Sequence, residues 1–144
     1  DDDWNIRFID KIDGGIAFHM KSFVGLPKTC YSTATGKSML AFMGDEFIHN
    51  FLENVQLTPM TPHTTTEPEK LLESLEEIRR SGYCLSIEED ELGLTCIGAP
   101  VIDTSQKPIA AISISGPTVR MTEHLSEYPK KVMDAAKLIS ESIS

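Results

Sequence analysis

Hydrophobic residues recur along this chain either at every second position, as in a strand, or three and four positions apart, as in a helix. The order of these two patterns predicts the fold. β-Branched and aromatic residues favour a strand over Asn5–Ile12, and the Asp13–Gly15 turn favours a hairpin that returns as a second strand over Ile16–Phe23. Glycine and proline interrupt the pattern in Val24–Ser32, which is therefore predicted to be a loop.

Two short helices are predicted next, because apolar residues then recur three and four positions apart. The first covers Thr35–Met43 and ends at Gly44, and the second is capped by Asp45 and covers Glu46–Leu52. Residues 56–66, which contain two prolines and several threonines, are predicted to connect these helices to a third without forming a domain boundary.

A third helix is predicted to begin at Thr66, because Glu69 completes a capping-box pattern and Pro68 suits a first helical turn. Gly82 is expected to end this helix in a left-handed conformation. Its apolar face has four residues at helical spacing: Leu71, Leu72, Leu75 and Ile78.

Strand patterns return after the third helix and are separated by polar turns. Three strands are predicted: Tyr83–Ile87, Leu94–Ile102 and Ile109–Ser115. A last helix is expected from about Thr122, with a bend near Pro129. The predicted order is ββ-ααα-βββ-α, and because strands are grouped rather than alternating with helices, it favours an α+β domain with an antiparallel sheet.

The size and composition are those of one domain with its own core. The chain has 144 residues, of which 40% are hydrophobic, and no apolar run approaches the roughly 20 residues that a membrane-spanning helix needs. Cys30, Cys84 and Cys96 form neither a CxxC pair nor a disulfide-rich spacing, which suits a cytoplasmic protein.

Acidic residues dominate the charge and argue against direct contact with nucleic acid. The net charge is −9, and residues 66–91 hold nine acidic residues against three basic ones. Because DNA-binding surfaces neutralise phosphates with lysine and arginine, this segment is not expected to contact DNA. The acidic run is predicted to be a solvated helix face. The turn Glu88–Glu91 is predicted to be solvated as well, and the four scattered histidines form no metal-binding pattern.

The stretch Thr33–Met43 combines small residues with the start of a predicted helix. The first N–H groups of a helix lack helical partners, and small residues such as Ala34 and Gly36 would let a carboxylate approach them. An ordinary helix start with Thr33 or Thr35 as its cap explains the same pattern.

A nucleotide-binding P-loop is excluded at this helix. The residues Gly36–Ser38 match the end of that motif, but the motif needs a glycine five residues before Gly36, and Tyr31 stands there. Tyrosine cannot supply the backbone freedom or the close approach to phosphate that glycine gives.

Polar side chains on two predicted strands are expected to face the same ligand. Ser113 and Ser115 project from one face of their strand, and Cys96 shares a face with Leu94 on the neighbouring strand. A solvent-facing strand and a small buried cysteine are the plainer interpretations. A Cys96 nucleophile would need a histidine base, and no sequence spacing connects it to one. Convergence of these groups on the helix start predicts one polar ligand pocket.

Three sequence blocks, spread over essentially the whole chain, carry a family resemblance. They are Tyr31–Lys37 with Leu40 and Ala41; Gly82 and Tyr83 with Glu88, Glu89 and Leu92–Val101; and Ala110–Pro117. Their order and separations resemble those of the C-terminal effector-binding domain of the IclR family of bacterial transcription regulators.

The resemblance implies a GAF- or profilin-like fold, with a curved antiparallel sheet of about five to six strands flanked by helices. Residues 1–144 would form one ligand-sensing domain, without the winged helix-turn-helix that binds DNA in the family. The implied function is allosteric control of DNA binding, as a repressor or an activator. The implied partners are a small carboxylate effector and further copies in a homodimer or homotetramer, with no membrane, cofactor, metal or enzymatic activity.

The family's ligand position, carried over to this chain, lies between the sheet and the loop that begins the first helix. The resemblance implies seven site residues: Met20, Ala34, Thr35, Leu94, Cys96, Ser113 and Ser115. The helix start adds Thr33 and Gly36, and Ser86 completes the ten predicted site residues. Many members have an acidic residue in place of Ser86 and a proline in place of Thr29, so the effector chemistry is expected to differ. A small-molecule enzyme using Cys96 and a ligand-free oligomerisation module are the alternative functions.

Overall fold

A three-stranded antiparallel sheet organises the computed structural model, which describes residues 3–14 and 21–144. Its strands, in their order across the sheet, are β3 (Cys84–Ile87), β4 (Leu94–Ile102) and β5 (Pro108–Pro117). The central strand pairs with β5 along its whole length, and Cys96 lies opposite Ser115. All three strands were predicted from the sequence, because long apolar and alternating runs specify both position and register.

A second, two-stranded antiparallel sheet lies near the beginning of the chain. Its strands are β1 (Asn5–Arg7) and β2 (Pro27–Thr29). The predicted first strand, Asn5–Ile12, is therefore too long, and its partner comes from a segment predicted to be a loop. The predicted second strand, Ile16–Phe23, falls largely outside the described residues. Pro27 opens β2, where a residue without an N–H group is tolerated.

The described residues form five helices: α1 (Ala34–Leu40), α2 (Asp45–Asn54), α3 (Pro68–Ser81), α4 (Thr118–Thr122) and α5 (Tyr128–Ser142). The helix α1 packs on one face of the three-stranded sheet, where Gly98 of β4 lies against Ala34. The two neighbours of Gly98 on β4, Ile97 and Ala99, pack with Val132 of α5 on the opposite face. Side chains alternate along a strand, so the sheet has helices on both faces.

Two clusters of buried side chains form the core, one on each face of this sheet. The first joins α1, α2 and α3 to β3, with Tyr31, Phe51 and Leu71 among its most buried members. The second joins β4 to α4 and α5 through residues such as Val101 and Met121. Both helices α2 and α3 are amphipathic, so their apolar faces enter the first cluster.

Several predicted helix ends differ from the structure. The N-cap of α3 is Glu67 rather than Thr66, and no side chain caps this helix, so the predicted capping box is wrong. Asp45 is the first residue of α2 rather than its cap, because Gly44 takes the cap position. Gly82 ends α3 with φ of 86°, which confirms the predicted left-handed terminator.

The last helix was predicted as one bent helix and is two separate helices. The segment between α4 and α5 consists of turns, and α4 begins directly where β5 ends. Pro129 lies in the first turn of α5, where a missing N–H group breaks no helical bond, so it begins a helix instead of bending one.

The observed architecture is α+β with antiparallel strands, which confirms the predicted fold class. The described strands number five and form two open sheets, whereas one curved sheet of five to six strands was expected. Among the described residues, no helix is both long and apolar enough to cross a bilayer.

Candidate functional site

A small cavity lies between the beginning of α1 and the face of the sheet that α1 covers. Its volume is about 20 Å³, enough for about one water molecule. Twelve described residues line it: Phe8, Ser22, Ser32, Thr33, Ala34, Thr35, Ser86, Asp90, Leu94, Cys96, Ser113 and Ser115.

Eight of the ten predicted site residues line this cavity: Thr33, Ala34, Thr35, Ser86, Leu94, Cys96, Ser113 and Ser115. Met20 lies outside the described residues. Gly36 does not line the cavity, because it packs against backbone: a Cβ atom there would come within 2.5 Å of the Cys30 Cα atom. Its small size therefore serves helix packing rather than the approach of a ligand.

The start of α1 offers backbone donors to the cavity. Thr33 is the N-cap, and its Oγ1 accepts a hydrogen bond from the Gly36 N–H at 3.1 Å. Among the described residues, the next two N–H groups, of Ala34 and Thr35, have no acceptor. Both residues are buried and line the cavity, so a ligand bound there is the candidate acceptor for these donors.

The sheet supplies a row of polar side chains opposite these donors. Strand pairing places Ser86 beside Cys96 and Cys96 beside Ser115, so one residue from each strand lies in line. The Ser115 hydroxyl donates to the Cys96 sulfur at 2.9 Å. Ser113, two residues before Ser115, lies on the same face of β5.

The Cys96 thiol is poorly suited to nucleophilic catalysis. Burial raises its pKa to about 11, although the hydrogen bond from Ser115 opposes this shift. At neutral pH only on the order of one thiol in ten thousand would be ionised. No histidine is among the described residues that line the cavity, so the arrangement provides no base for this cysteine.

The acidic turn between β3 and β4 was predicted to be solvated, and that prediction is wrong. Glu89 accepts a hydrogen bond from Lys37 at 2.6 Å, and Asp90 accepts one from Lys28 at 2.7 Å. The side chains of Glu89 and Asp90 are only 12% and 15% exposed. The two lysines precede the turn by more than fifty residues, so no local pattern shows the pairing.

Threonines of the connector between α2 and α3 hold the backbone of the same turn. The Thr61 hydroxyl donates to the Glu88 carbonyl and the Thr64 hydroxyl donates to the Glu89 carbonyl, each at 2.6 Å. Both threonines are buried. These hydrogen bonds tie the turn, which brings Asp90 into the cavity wall, to the connector.

Four lining residues were not predicted from the sequence: Phe8, Ser22, Ser32 and Asp90. Ser32 directly precedes the N-cap, so its position in the helix-start loop was the available signal. Asp90 lies in the turn directly after the strand that carries Ser86, so its closeness to Ser86 in sequence was the available signal. No pattern identified Phe8 or Ser22, because neither lies near the other lining residues in sequence.

The charge of the cavity is unusual for a site that receives an anion. Among the described residues, neither lysine, arginine nor histidine lines it, and Asp90 is its one ionisable carboxylate. The nearby Lys28 and Lys37 are already paired with Asp90 and Glu89. Recognition of a carboxylate here depends on amide and hydroxyl donors rather than on a cation.

A larger groove of about 400 Å³ lies along β5 beside α4 and α5. Its walls include Met121, Tyr128 and Val132 and share Ser113 and Ser115 with the small cavity, but none of the α1 donors lines it. The small cavity is therefore the better candidate site, because independent polar groups converge on it.

Comparison with known proteins finds relatives over nearly the whole chain. The family described as "Bacterial transcriptional regulator IclR C-terminal" matches residues 2–141. The HTH-type transcriptional regulator KdgR of Escherichia coli (strain K12) is 40% identical over 140 residues, covering 96% of this chain and 53% of that protein. The chain thus spans about half the length of the curated relatives that it matches.

Solved structures share the fold. The Thermotoga maritima IclR crystal structure matches with a TM-score of 0.87 and 38% identity, covering 99% of this chain and 57% of that chain. The inducer-binding domain of the PobR transcription factor from Acinetobacter, a double mutant in complex with 3-hydroxybenzoic acid, matches with a TM-score of 0.75 and 29% identity. That match covers 88% of this chain and 74% of the PobR chain.

Proposed function

Because the chain belongs to the IclR family of bacterial transcriptional regulators, we propose that it senses a small organic acid and thereby controls DNA binding. The observation that supports this function is the convergence of α1 amides and sheet hydroxyls on one cavity. The PobR domain, a relative of this fold, was crystallised with an aromatic acid, which supports the same chemical class of ligand.

The effector's carboxylate accepts hydrogen bonds from the Ala34 and Thr35 N–H groups in the proposed complex. The hydroxyls of Ser86, Ser113 and Ser115 hold its other polar atoms. The cavity of about 20 Å³ has room for about one water molecule, so an organic acid binds to a wider state of it in the proposed complex. A ligand that binds only the widened state shifts the equilibrium towards it, and this difference in affinity is the source of allosteric control.

The DNA contact itself is assigned to a region outside this chain. The net charge of −9 disfavours phosphate contacts, and the curated relatives are about twice as long as the matched region. The effector changes the arrangement of DNA-binding regions within a cytoplasmic homodimer or homotetramer. The domain is a sensor without catalytic activity, consistent with the protonated Cys96 thiol.

The test is calorimetric titration of the chain with keto, sugar and aromatic acids. Replacing Ser113 and Ser115 together with alanine should weaken binding of any acid that binds by about tenfold or more, because two hydrogen bonds are lost. Ser126→Ala with Ser142→Ala is the matched control, since both serines are exposed and lie outside the cavity. Unchanged affinity in the Ser113 and Ser115 variant would refute this site.

A further inference from the structure

We propose that Asp90 determines effector specificity by selecting hydroxylated acids with a single carboxylate and rejecting acids with a second anionic group. This inference rests on the proposed function of the same cavity. It concerns which acids bind rather than whether an acid binds.

Asp90 holds its carboxylate in the cavity wall through two fixed hydrogen bonds. Its Oδ2 atom accepts from the Lys28 ammonium at 2.7 Å, and its Oδ1 atom accepts from the Ser32 hydroxyl at 3.1 Å. Ser32 is completely buried, and the turn that carries Asp90 is tied to Thr61 and Thr64. The carboxylate is therefore positioned before any ligand arrives.

The remaining acceptor capacity of Asp90 favours hydroxyl groups on the ligand. A carboxylate has about four acceptor positions, of which Lys28 and Ser32 occupy two. The free positions accept hydrogen bonds and cannot donate them. A ligand hydroxyl satisfies them, whereas a second ligand carboxylate brings two anions together in a small enclosed space.

The other polar residues of the cavity wall also provide oxygen atoms that can accept hydrogen bonds from a ligand. Eight of the twelve lining residues carry a hydroxyl or a carboxylate: Ser22, Ser32, Thr33, Thr35, Ser86, Asp90, Ser113 and Ser115. A site built to bind hydroxyls rejects analogues that lack them, because its buried polar groups are then left unpaired. The wall chemistry therefore suits a hydroxylated aliphatic acid better than a flat apolar ring.

The pair of Lys28 and Asp90 allows the repulsion of a second anionic group to be either weakened or strengthened by mutation. Lys28 neutralises Asp90 from outside, since it is not among the described residues that line the cavity. Removing the Asp90 charge leaves Lys28 free to attract a second anionic group. Removing Lys28 leaves the Asp90 charge uncompensated and strengthens repulsion of that group.

The experiment compares pairs of acids in which a hydroxyl-bearing group of the monoacid is exchanged for a second carboxylate: gluconate with glucarate, galactonate with galactarate, and 4-hydroxybenzoate with terephthalate. Affinities are measured by calorimetry for the wild type, Asp90→Asn, Lys28→Gln and the control Glu91→Gln. Glu91 belongs to the same turn but does not line the cavity. Circular dichroism and thermal unfolding check that each variant is folded. If Asp90→Asn does not fold, the comparison of Lys28→Gln with the wild type tests the inference.

The expected wild-type preference for the monoacid is about tenfold or more, equivalent to about 1.4 kcal/mol. Asp90→Asn should bring the two affinities of a pair close together, Lys28→Gln should widen the difference, and Glu91→Gln should leave it unchanged. Diacids that bind the wild type as tightly as monoacids would overturn the inference, as would an unchanged ratio in Asp90→Asn.

Two further outcomes separate this inference from the proposed function. Binding of the aromatic acids without any binding of gluconate or galactonate would overturn the selection of hydroxylated acids while leaving the sensor function intact. If no acid of any class binds the wild type, the proposed function itself fails, and the inference about Asp90 fails with it.

Discussion

Gly98 decides how closely the beginning of α1 lies to the sheet. A Cβ atom at this position would come within 2.8 Å of the Ala34 carbonyl, which is backbone and cannot rotate away. We expect Gly98→Ala to lower the free energy of unfolding by about 1–3 kcal/mol, as overpacking does in a dense core. Urea denaturation measures this, with Gly14→Ala as control because a Cβ atom there meets nothing within 4 Å. Equal stability of the two variants would contradict this account.

The buried thiols make stability depend on pH at the alkaline end. Burial raises the pKa of Cys30, Cys84 and Cys96 from 9.0 to about 11. An unfolded thiol ionises first, so the contribution of each thiol to stability is complete below pH 9 and is lost as the pH rises towards 11. We expect Cys96→Ala to reduce this alkaline decline in unfolding free energy by on the order of 2 kcal/mol. Chemical denaturation at pH 8 and pH 11 provides the comparison, and an equal decline in the variant would show that Cys96 does not contribute.

At the scale of elements, one buried ion pair joins α1 to the turn between β3 and β4. The Lys37 and Glu89 side chains are only 3% and 12% exposed, so removing either partner leaves a poorly solvated charge. We expect Lys37→Met to cost about 3–5 kcal/mol of unfolding free energy. Lys130→Met breaks an exposed helical pair with Asp134 and should cost about 0.5 kcal/mol or less.

A double-mutant cycle tests whether this cost comes from the unpaired charge. Lys37→Met combined with Glu89→Leu should be less destabilising than the sum of the two single changes, because no charge is then left without its partner. Additive costs would mean that the two side chains stabilise the structure independently. Urea denaturation of the four proteins supplies all the values.

Which elements could be predicted depended on how far their partners lie along the chain. The strand β4 was predicted to the residue, because its nine residues carry their own apolar pattern. The three residues of β2 carry no such pattern, and only pairing with β1 makes them a strand. The acidic turn was misjudged for the same reason, since Lys28 and Lys37 are its distant partners. The pattern of the chain itself indicated the helix start and the strand residues Cys96, Ser113 and Ser115 as parts of one candidate pocket. The family resemblance was needed to add Met20 and Ser86, because no local period relates them to that pocket.

At the scale of the whole molecule, the cavity is connected to the beginning of the chain. Asp90 in its wall binds Lys28, Lys28 lies on β2, and β2 pairs with β1. The matched family region is described as C-terminal, and the relatives contain about as much chain again. We expect a change at Asp90 on ligand binding to reach β2 and then β1 through Lys28, which couples the cavity to the beginning of the chain.

Hydrogen exchange with and without a saturating acid tests this route. The Ala34 and Thr35 amides should exchange more slowly in the complex, because the ligand carboxylate becomes their acceptor. The exchange rates of the Ile6 and Lys28 amides should also change, because the Lys28–Asp90 pair connects the cavity wall to β2, and β2 pairs with β1. The middle of α5 packs on the opposite face and should exchange at the same rate in both states. Slower exchange at α1 with no change in β1 or β2 would support the ligand position but contradict the route through β2. A strand that is the same with and without the ligand cannot transmit binding free energy, so the coupling would have to pass through another element.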